Sequence, residues 1–157
     1  MLSLSVVIPT LFSESALRTL RAILPPSHLA ARIELIFVGP SYPCPLISEF
    51  KSQLTHYSNK LKFNYILLFG SDSIYSAMNK GIDVSNGRFI FFSGDTDVPL
   101  YANIFDSFNL LDPKLFDSEV STSVIVGSLL GVPKTRSYFP ALSSLSLIFE
   151  LNLFEKF

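Results

Sequence analysis

Short apolar runs typical of β-strands alternate with helical patterns along this chain, and this alternation restricts the fold more than any other feature. The strand-like runs, rich in β-branched and aromatic residues, cover Leu4–Pro9, Ile33–Val38, Phe63–Phe69, Arg88–Phe92 and Val120–Leu130. Helical patterns separate them, over Ser13–Leu24, Leu46–Tyr57, a segment after Phe69, and Tyr101–Leu111. Because parallel neighbouring strands need crossover connections, the pattern predicts an α/β fold with a mostly parallel sheet and helices on both faces.

Two of the helices carry clear signals at their ends. The first has apolar residues at three- and four-residue intervals, Ser13 is its expected N-cap, and two prolines end it. For the third helix, Ser71 or Asp72 is the expected N-cap. Its predicted apolar side consists of Ile74, Ala77, Met78 and Ile82. The third strand, Phe63–Phe69, is almost continuously apolar, which predicts a strand covered on both faces.

Composition and charge limit the class of protein. The 157 residues are 48% hydrophobic and only 16% charged, which predicts one domain with a sizeable core. The net charge of -1 provides no field that attracts a polyanion, so we expect no nucleic-acid partner. Cys44 is the single cysteine, which excludes an internal disulfide and a cysteine-based metal cluster and fits a reducing compartment.

The sequence predicts neither a signal peptide nor a membrane-spanning helix. The amino-terminal apolar run is too short, and Leu142–Phe154 is interrupted by serines and Glu150 and falls short of the ~20 residues that a spanning helix needs. We therefore expect a buried helix there, with peripheral membrane contact as the alternative. The expected location is the cytoplasm, with contact at the inner membrane face left open.

An acidic pair follows the fourth strand, and ligands of open parallel sheets gather at the carboxyl ends of the strands. Asp95 and Asp97 form an Asp-x-Asp element, the only acidic cluster in the segments that follow the first four strands. Two carboxylates this close repel each other unless a cation or solvent lies between them. Mg²⁺ or Mn²⁺ needs only one or two protein carboxylates when a diphosphate supplies the remaining oxygens. A solvated loop with a helix-capping aspartate explains the spacing equally well.

Two longer stretches favour the metal interpretation. Ser73–Ile82 followed by Ser85–Ile90 closely resembles the G-I-Y-D-A-M-N-K-G-I then x-x-G-x-Y-I stretch of family 2 glycosyltransferases. Ser5–Thr10 is similar to the first strand of that family, and the acidic pair comes at the expected place. These resemblances extend from about residue 3 to residue 97. Within the family, the chain is similar to bacterial surface-polysaccharide enzymes of the colanic acid type.

The resemblance implies a GT-A domain that transfers a sugar from a nucleotide-diphosphate donor, usually with inversion. The implied acceptor is a polysaccharide, a lipopolysaccharide or a lipid-linked glycan, and the implied cofactor is a divalent metal, Mg²⁺ or Mn²⁺. The candidate donor-binding residues are Pro9, Thr10, Ser41, Asn79, Lys80 and Asp95, and the candidate metal ligands are Asp95 and Asp97. Either aspartate can be the main ligand, because the family has two adjacent aspartates there. Asp95 is favoured because it is closer to the strand end, with Asp97 bound directly or through water. Lys80 can equally be a solvated charge near the helix end.

The sequence departs from the family at several places, among them Ser76, which stands at a usual acidic position of the helical stretch, and two of the others bear directly on the function. Where the family carries one or two aspartates that hold the base or ribose, this chain has Gly39, Pro40 and Ser41, which either weakens nucleotide binding or shifts the contact to backbone groups and Ser41. Leu153–Phe157 resembles the segment that precedes the family's catalytic-base helix. We therefore expect residues 1–157 to form a single nucleotide-sugar-binding domain without the acceptor and base region, which a second chain can supply. No catalytic residue is assigned.

Two other functions stay open. One is a non-catalytic remnant that still binds a nucleotide sugar, which the missing base and the missing aspartate favour. The other is an unrelated doubly wound binding domain, such as a flavodoxin-like regulator. Such a regulator normally has its acidic cluster after the first strand, where this chain has only Pro9 and Thr10.

Overall fold

The computed structural model describes residues 4–110, 125–128 and 145–150, and strands and helices alternate from residue 4 to residue 110. The strands are β1 (Leu4–Pro9), β2 (Ile33–Pro40), β3 (Asn64–Ser71), β4 (Phe89–Phe92), β5 (Ile125–Ser128) and β6 (Leu145–Glu150). The helices are α1 (Glu14–Ile23), α2 (Ile47–Leu61), α3 (Ile74–Val84) and α4 (Tyr101–Leu110), with a 3₁₀ turn at Ala30–Arg32. Within these ranges, no helix has both the length and the apolar character needed to cross a bilayer.

The six strands form one sheet in the order β3-β2-β1-β4-β6-β5. The first four strands of the chain pair in parallel, whereas β6 runs antiparallel to both β4 and β5. The predicted α/β fold with a mostly parallel sheet is therefore confirmed. Because β2 and β3 lie on one side of β1 and β4 lies on the other, the strand order reverses between β1 and β4. Such a reversal creates a crevice at the carboxyl ends of the two strands.

Apolar side chains cover both faces of the sheet at β1 and β2. Leu4, Val6 and Ile8 belong to a core that α1, α2 and α4 close, whereas Val7 belongs to a second core beneath α3. Gly81 allows α3 to approach the sheet closely, because a Cβ atom there would lie 2.3 Å from a methyl carbon of Val7. The glycine of the family-like stretch therefore has a packing role.

Side-chain hydrogen bonds fix the beginnings of α1 and α3. Ser13 caps α1, as predicted, by accepting a hydrogen bond from a main-chain N–H of the first turn. The cap of α3 is Ser73, so the prediction of Ser71 or Asp72 was wrong. Ser71 is the last residue of β3, and its hydroxyl donates to the main-chain oxygen of Gly39 at 2.9 Å. The helix begins later than predicted because the strand continues further.

Three predictions about apolar segments were wrong. The described part of β3 pairs only with β2 at the edge of the sheet, and residues 64–70 are exposed or half-buried. Ile74, predicted on the apolar side of α3, is 61% exposed. Leu145–Glu150 forms β6 and not part of a buried helix, because β4 offers a strand to pair with and a short apolar run does not by itself distinguish helix from strand. Of the predicted fifth strand, Ile125–Ser128 is a strand, and the remainder lies outside the described residues.

A buried polar network lies at the amino ends of the central strands. Glu34 is 2% exposed, and its Oε1 accepts hydrogen bonds from Ser5 Oγ and from the main-chain nitrogen of Asn86, both at 2.5 Å. The main-chain nitrogen of Gly87 donates to Ser5 Oγ at 2.8 Å. The network ties the turn before β4 to β1 and β2, and thereby fixes the position at which β4 begins.

Candidate functional site

A cavity of about 550 Å³ opens at the carboxyl ends of β1, β2 and β3. Its wall consists of the segments that follow these strands, the first turns of α1 and α3, and one residue from the segment after β4. Polar and aromatic side chains in this wall include those of Thr10, Ser13, Ser41, Tyr42, Asp72 and Asp95. A cavity of this size at this position matches the usual ligand site of an open parallel sheet.

Asp95 is held in the cavity wall through both its side chain and its backbone. Thr10 Oγ1 donates to Asp95 Oδ2 at 2.7 Å, and Thr19 Oγ1 donates to the main-chain oxygen of Asp95, also at 2.7 Å. Thr10 is itself buried, and its Oγ1 accepts from the main-chain nitrogen of Phe12 at 3.0 Å. Thr10 follows β1 and Asp95 follows β4, so the neighbouring positions of these strands bring the two residues together.

Asp97 takes a different position from Asp95. Its Oδ2 accepts a hydrogen bond from the main-chain nitrogen of Gly94 at 3.0 Å, within its own loop. The side chain of Asp97 is exposed and is not part of the cavity wall. In the part of the chain that the structure describes, no group of three or more His, Cys, Asp or Glu residues could hold a metal ion. Asp95 is therefore the one member of the acidic pair that faces the cavity.

The other sequence-predicted residues fall into two groups. Pro9, Thr10 and Ser41 line the cavity beside Asp95. Asn79 and Lys80 lie further along α3 than the turn that lines it. The ammonium group of Lys80 donates to the main-chain oxygens of Gly70 and Phe69, at the end of β3.

Sequence reasoning missed several residues of the cavity wall. Tyr42, Leu11 and Ile74 line it with side chains that are 59%, 62% and 61% exposed. Asp72 also lines it, and Ser41 Oγ donates to its Oδ1 at 3.0 Å. The available signal was their position: Asp72 directly follows a strand, Leu11 and Tyr42 come two residues after one, and Ile74 opens the helix that follows β3.

The cavity has an unusual charge distribution. Its described wall contains two carboxylates, Asp72 and Asp95, and no Lys, Arg or His. The first turns of α1 and α3 contribute the partial positive charge of helix N-termini. A strongly anionic ligand would therefore need a cation in addition to the protein groups of this wall.

No protein-family model and no curated protein sequence matches this chain. Solved structures do match it. The crystal structure of S. aureus TarS 1–349 matches over 97% of this chain and 48% of that chain, with a TM-score of 0.57 and 16% identity. Another structure of S. aureus TarS matches over 97% of this chain and 29% of that chain, with a TM-score of 0.59 and 15% identity.

A third match comes from the mannosyltransferase PcManGT of Pyrobaculum calidifontis, in complex with GDP-Man and Mn²⁺. It covers 70% of this chain and 32% of that chain, with a TM-score of 0.52 and 13% identity. This chain shares the fold of that mannosyltransferase. It spans about half of the TarS 1–349 chain and about a third of the mannosyltransferase. At these identities the likeness concerns the fold.

Proposed function

We propose that this chain is the donor-binding part of a glycosyltransferase similar to family 2 enzymes of the GT-A fold. The activity would transfer a sugar, with inversion, from a nucleotide diphosphate to a polysaccharide, lipopolysaccharide or lipid-linked acceptor. The observation that carries the proposal is the Asp95 carboxylate, held by Thr10 in the wall of a cavity at the carboxyl ends of the strands. The sequence resemblance and the fold shared with a mannosyltransferase that binds GDP-Man and Mn²⁺ support it.

A divalent ion, Mg²⁺ or Mn²⁺, fits the residues of this cavity. Such an ion takes oxygen ligands and typically uses one or two protein carboxylates when phosphates and water complete the shell. Asp95 offers one carboxylate, and the residues that the structure describes in this wall include no basic side chain that would balance a diphosphate. Asp97 lies outside the cavity wall, and its Oδ2 accepts a hydrogen bond from Gly94, so it would have to move towards the cavity to join the ion. When bound, the ion would offset the charge that develops on the departing diphosphate.

The remaining residue assignments extend the same proposal. Pro9, Thr10 and Ser41 would contact the donor directly, since they line the cavity. Asn79 and Lys80 are supported by the sequence resemblance alone, and in the structure Lys80 holds the end of β3. The acceptor-binding region and the catalytic base would come from residues beyond those described or from a second chain. Contact with the inner membrane face would bring lipid-linked acceptors within reach.

One observation favours a second candidate, a nucleotide-sugar-binding chain without transferase activity. Both carboxylates of the described cavity wall already accept hydrogen bonds, Asp72 from Ser41 and Asp95 from Thr10. In the proposed function the ion would occupy Asp95, and the described wall contains no His, so Asp72 is the single carboxylate or imidazole there that could take a proton from an acceptor hydroxyl, a step that glycosyl transfer requires. Release or transfer of the sugar from a radiolabelled donor would separate the enzyme from the binding protein.

Ligand-induced thermal stabilisation tests the binding function that both candidates share. We expect UDP or GDP to raise the melting temperature in the presence of Mn²⁺ and not in the presence of EDTA. At a ligand concentration of 100 Kd, binding raises the free energy of unfolding by about 2.7 kcal/mol. Asp95→Ala should abolish the gain, whereas the matched control Asp83→Ala, an exposed aspartate of α3 outside the cavity wall, should retain it. Absence of Mn²⁺-dependent stabilisation in the wild-type protein would contradict the proposal.

A further inference from the structure

A hydrogen-bonded pair joins the segments that follow β2 and β3 at the cavity. Ser41 Oγ donates to Asp72 Oδ1 at 3.0 Å, and both residues line the cavity. The role of Asp72 is not to cap α3, because Ser73 makes the capping hydrogen bond. Ser41 thus orients an exposed carboxylate at the cavity wall. This carboxylate follows β3, whereas the sequence lacks an aspartate after the neighbouring strand, β2.

Apolar side chains surround this pair. Tyr42, Leu11 and Ile74 each expose more than half of their surface and line the same cavity. Exposed apolar side chains that converge on one concave site are typical of ligand binding, whereas scattered ones need no explanation. A flat aromatic ligand suits such a wall, because the Tyr42 ring offers a face for stacking. A nucleobase has this shape and chemistry.

Charge decides which part of a nucleotide can lie against Asp72. A carboxylate only accepts hydrogen bonds, and no basic side chain of the described cavity wall neutralises this one. Asp72 therefore repels phosphate groups and attracts neutral groups that carry O–H or N–H donors. Asp95 is the other carboxylate of the wall, where a divalent ion would reverse the sign of the local charge. The two carboxylates thus favour opposite ends of one ligand.

We propose that Asp72, oriented by Ser41 and flanked by Tyr42, is the specificity-determining residue of a nucleoside subsite. It would supply from the end of β3 the carboxylate that the end of β2 lacks. This inference rests on the proposed function, in which the diphosphate lies at Asp95. The groups recognised are paired hydrogen-bond donors of the nucleoside, either the ribose 2′- and 3′-hydroxyls or the N–H groups of the base edge.

The test compares ligands with and without a nucleoside, by calorimetry on the full chain with Mn²⁺. The probes are UDP, GDP, their 2′- and 3′-deoxy analogues, and inorganic pyrophosphate. Asp72→Asn should weaken binding of the nucleoside diphosphates about tenfold, as loss of a charged hydrogen-bond acceptor does, and leave pyrophosphate binding unchanged. Tyr42→Ala should do the same, and Asp83→Asn is the matched control for the loss of one negative charge.

The analogues identify the source of the donors. If the ribose is recognised, the deoxy analogues bind the wild-type protein weakly and Asp72→Asn weakens them no further. If the base edge is recognised, Asp72→Asn changes the ratio of UDP to GDP affinity while the deoxy analogues behave like their parents. Either pattern supports the subsite.

Two outcomes overturn the inference, and they differ from failure of the proposed function. One is unchanged nucleotide affinity in Asp72→Asn, and the other is an equal loss for pyrophosphate and nucleotide. In both cases the wild-type protein binds a nucleoside diphosphate with Mn²⁺, so the proposed function survives. If the wild-type protein binds no such ligand, the proposed function fails and the subsite fails with it. Because Asp72 is exposed, unchanged melting temperatures without ligand should confirm that the variants fold.

Discussion

The two ends of β1 carry the same kind of pair, a hydroxyl that donates to a carboxylate, in opposite surroundings. At the amino end, Ser5 donates to Glu34 at 2.5 Å inside a buried network that also takes up main-chain N–H groups. At the carboxyl end, Thr10 donates to Asp95 at 2.7 Å beside an open cavity. The pair therefore stabilises the fold where it is enclosed and can bind a ligand where it faces a cavity.

The largest expected effect concerns the enclosed pair. Glu34→Ala would leave the hydroxyl of Ser5 and the main-chain N–H of Asn86 without their acceptor, whereas the N–H of Gly87 would keep its hydrogen bond to Ser5 Oγ. We expect a loss of about 2–4 kcal/mol in the free energy of unfolding, since buried unsatisfied donors cost about 1–3 kcal/mol each. Urea denaturation measures this loss. A free energy of unfolding within about 1 kcal/mol of the wild type would show that the network contributes little to stability. The pairs at the two ends of β1 would then not differ in their role in the fold.

The next effect concerns the open pair. Asp95→Asn keeps an acceptor for Thr10 but removes the negative charge that a divalent ion needs. We expect at least a tenfold loss of Mn²⁺-dependent nucleotide affinity, with stability changed by less than about 1 kcal/mol. Calorimetry with and without EDTA gives the affinity, and chemical denaturation gives the stability. If Asp95→Asn lowers the stability and leaves the affinity unchanged, the Thr10–Asp95 pair stabilises the fold, as the Ser5–Glu34 pair does.

A smaller effect should come from Thr19, which positions Asp95 through its backbone. Thr19→Val preserves the shape of the side chain and removes the hydroxyl that donates to the main-chain oxygen of Asp95. We expect about a tenfold loss or less in Mn²⁺-dependent affinity, because second-shell groups orient the ligands of a metal. Thr19→Ser restores the hydroxyl and should recover the affinity. If the serine variant binds as weakly as the valine variant, the role of Thr19 lies in packing.

The smallest effect is expected at Asp97. Its carboxylate accepts from Gly94 within its own loop and lies outside the cavity wall, so Asp97→Ala should weaken Mn²⁺-dependent binding by only about two- to threefold. The same calorimetric titration measures it beside Asp95→Asn. Equal losses in the two variants would mean that Asp97 also binds the ion when the ligand is present.

Much of the fold could be predicted from the sequence because its signals are local. The period of the apolar residues gave the first four strands and the helices between them, and Ser13 marked the beginning of α1. The prediction for β3 was wrong because strand composition does not reveal whether a strand lies inside a sheet or at its edge. The prediction for Leu145–Glu150 was wrong because pairing with β4, a distant partner, decided the outcome.

For the site, the sequence by itself determined the strand ends at which polar side chains gather, since a parallel sheet brings its carboxyl ends to one edge. Pro9, Thr10, Ser41 and Asp95 were predicted at these strand ends, and all four line the cavity, whereas their contact with a donor stays a prediction. Only the tertiary structure decided that Asp95 faces the cavity while Asp97 turns to Gly94, and that Asp72 meets Ser41. The physical reason is that these contacts depend on how separate loops approach one another, and the spacing of residues along one loop does not contain that information.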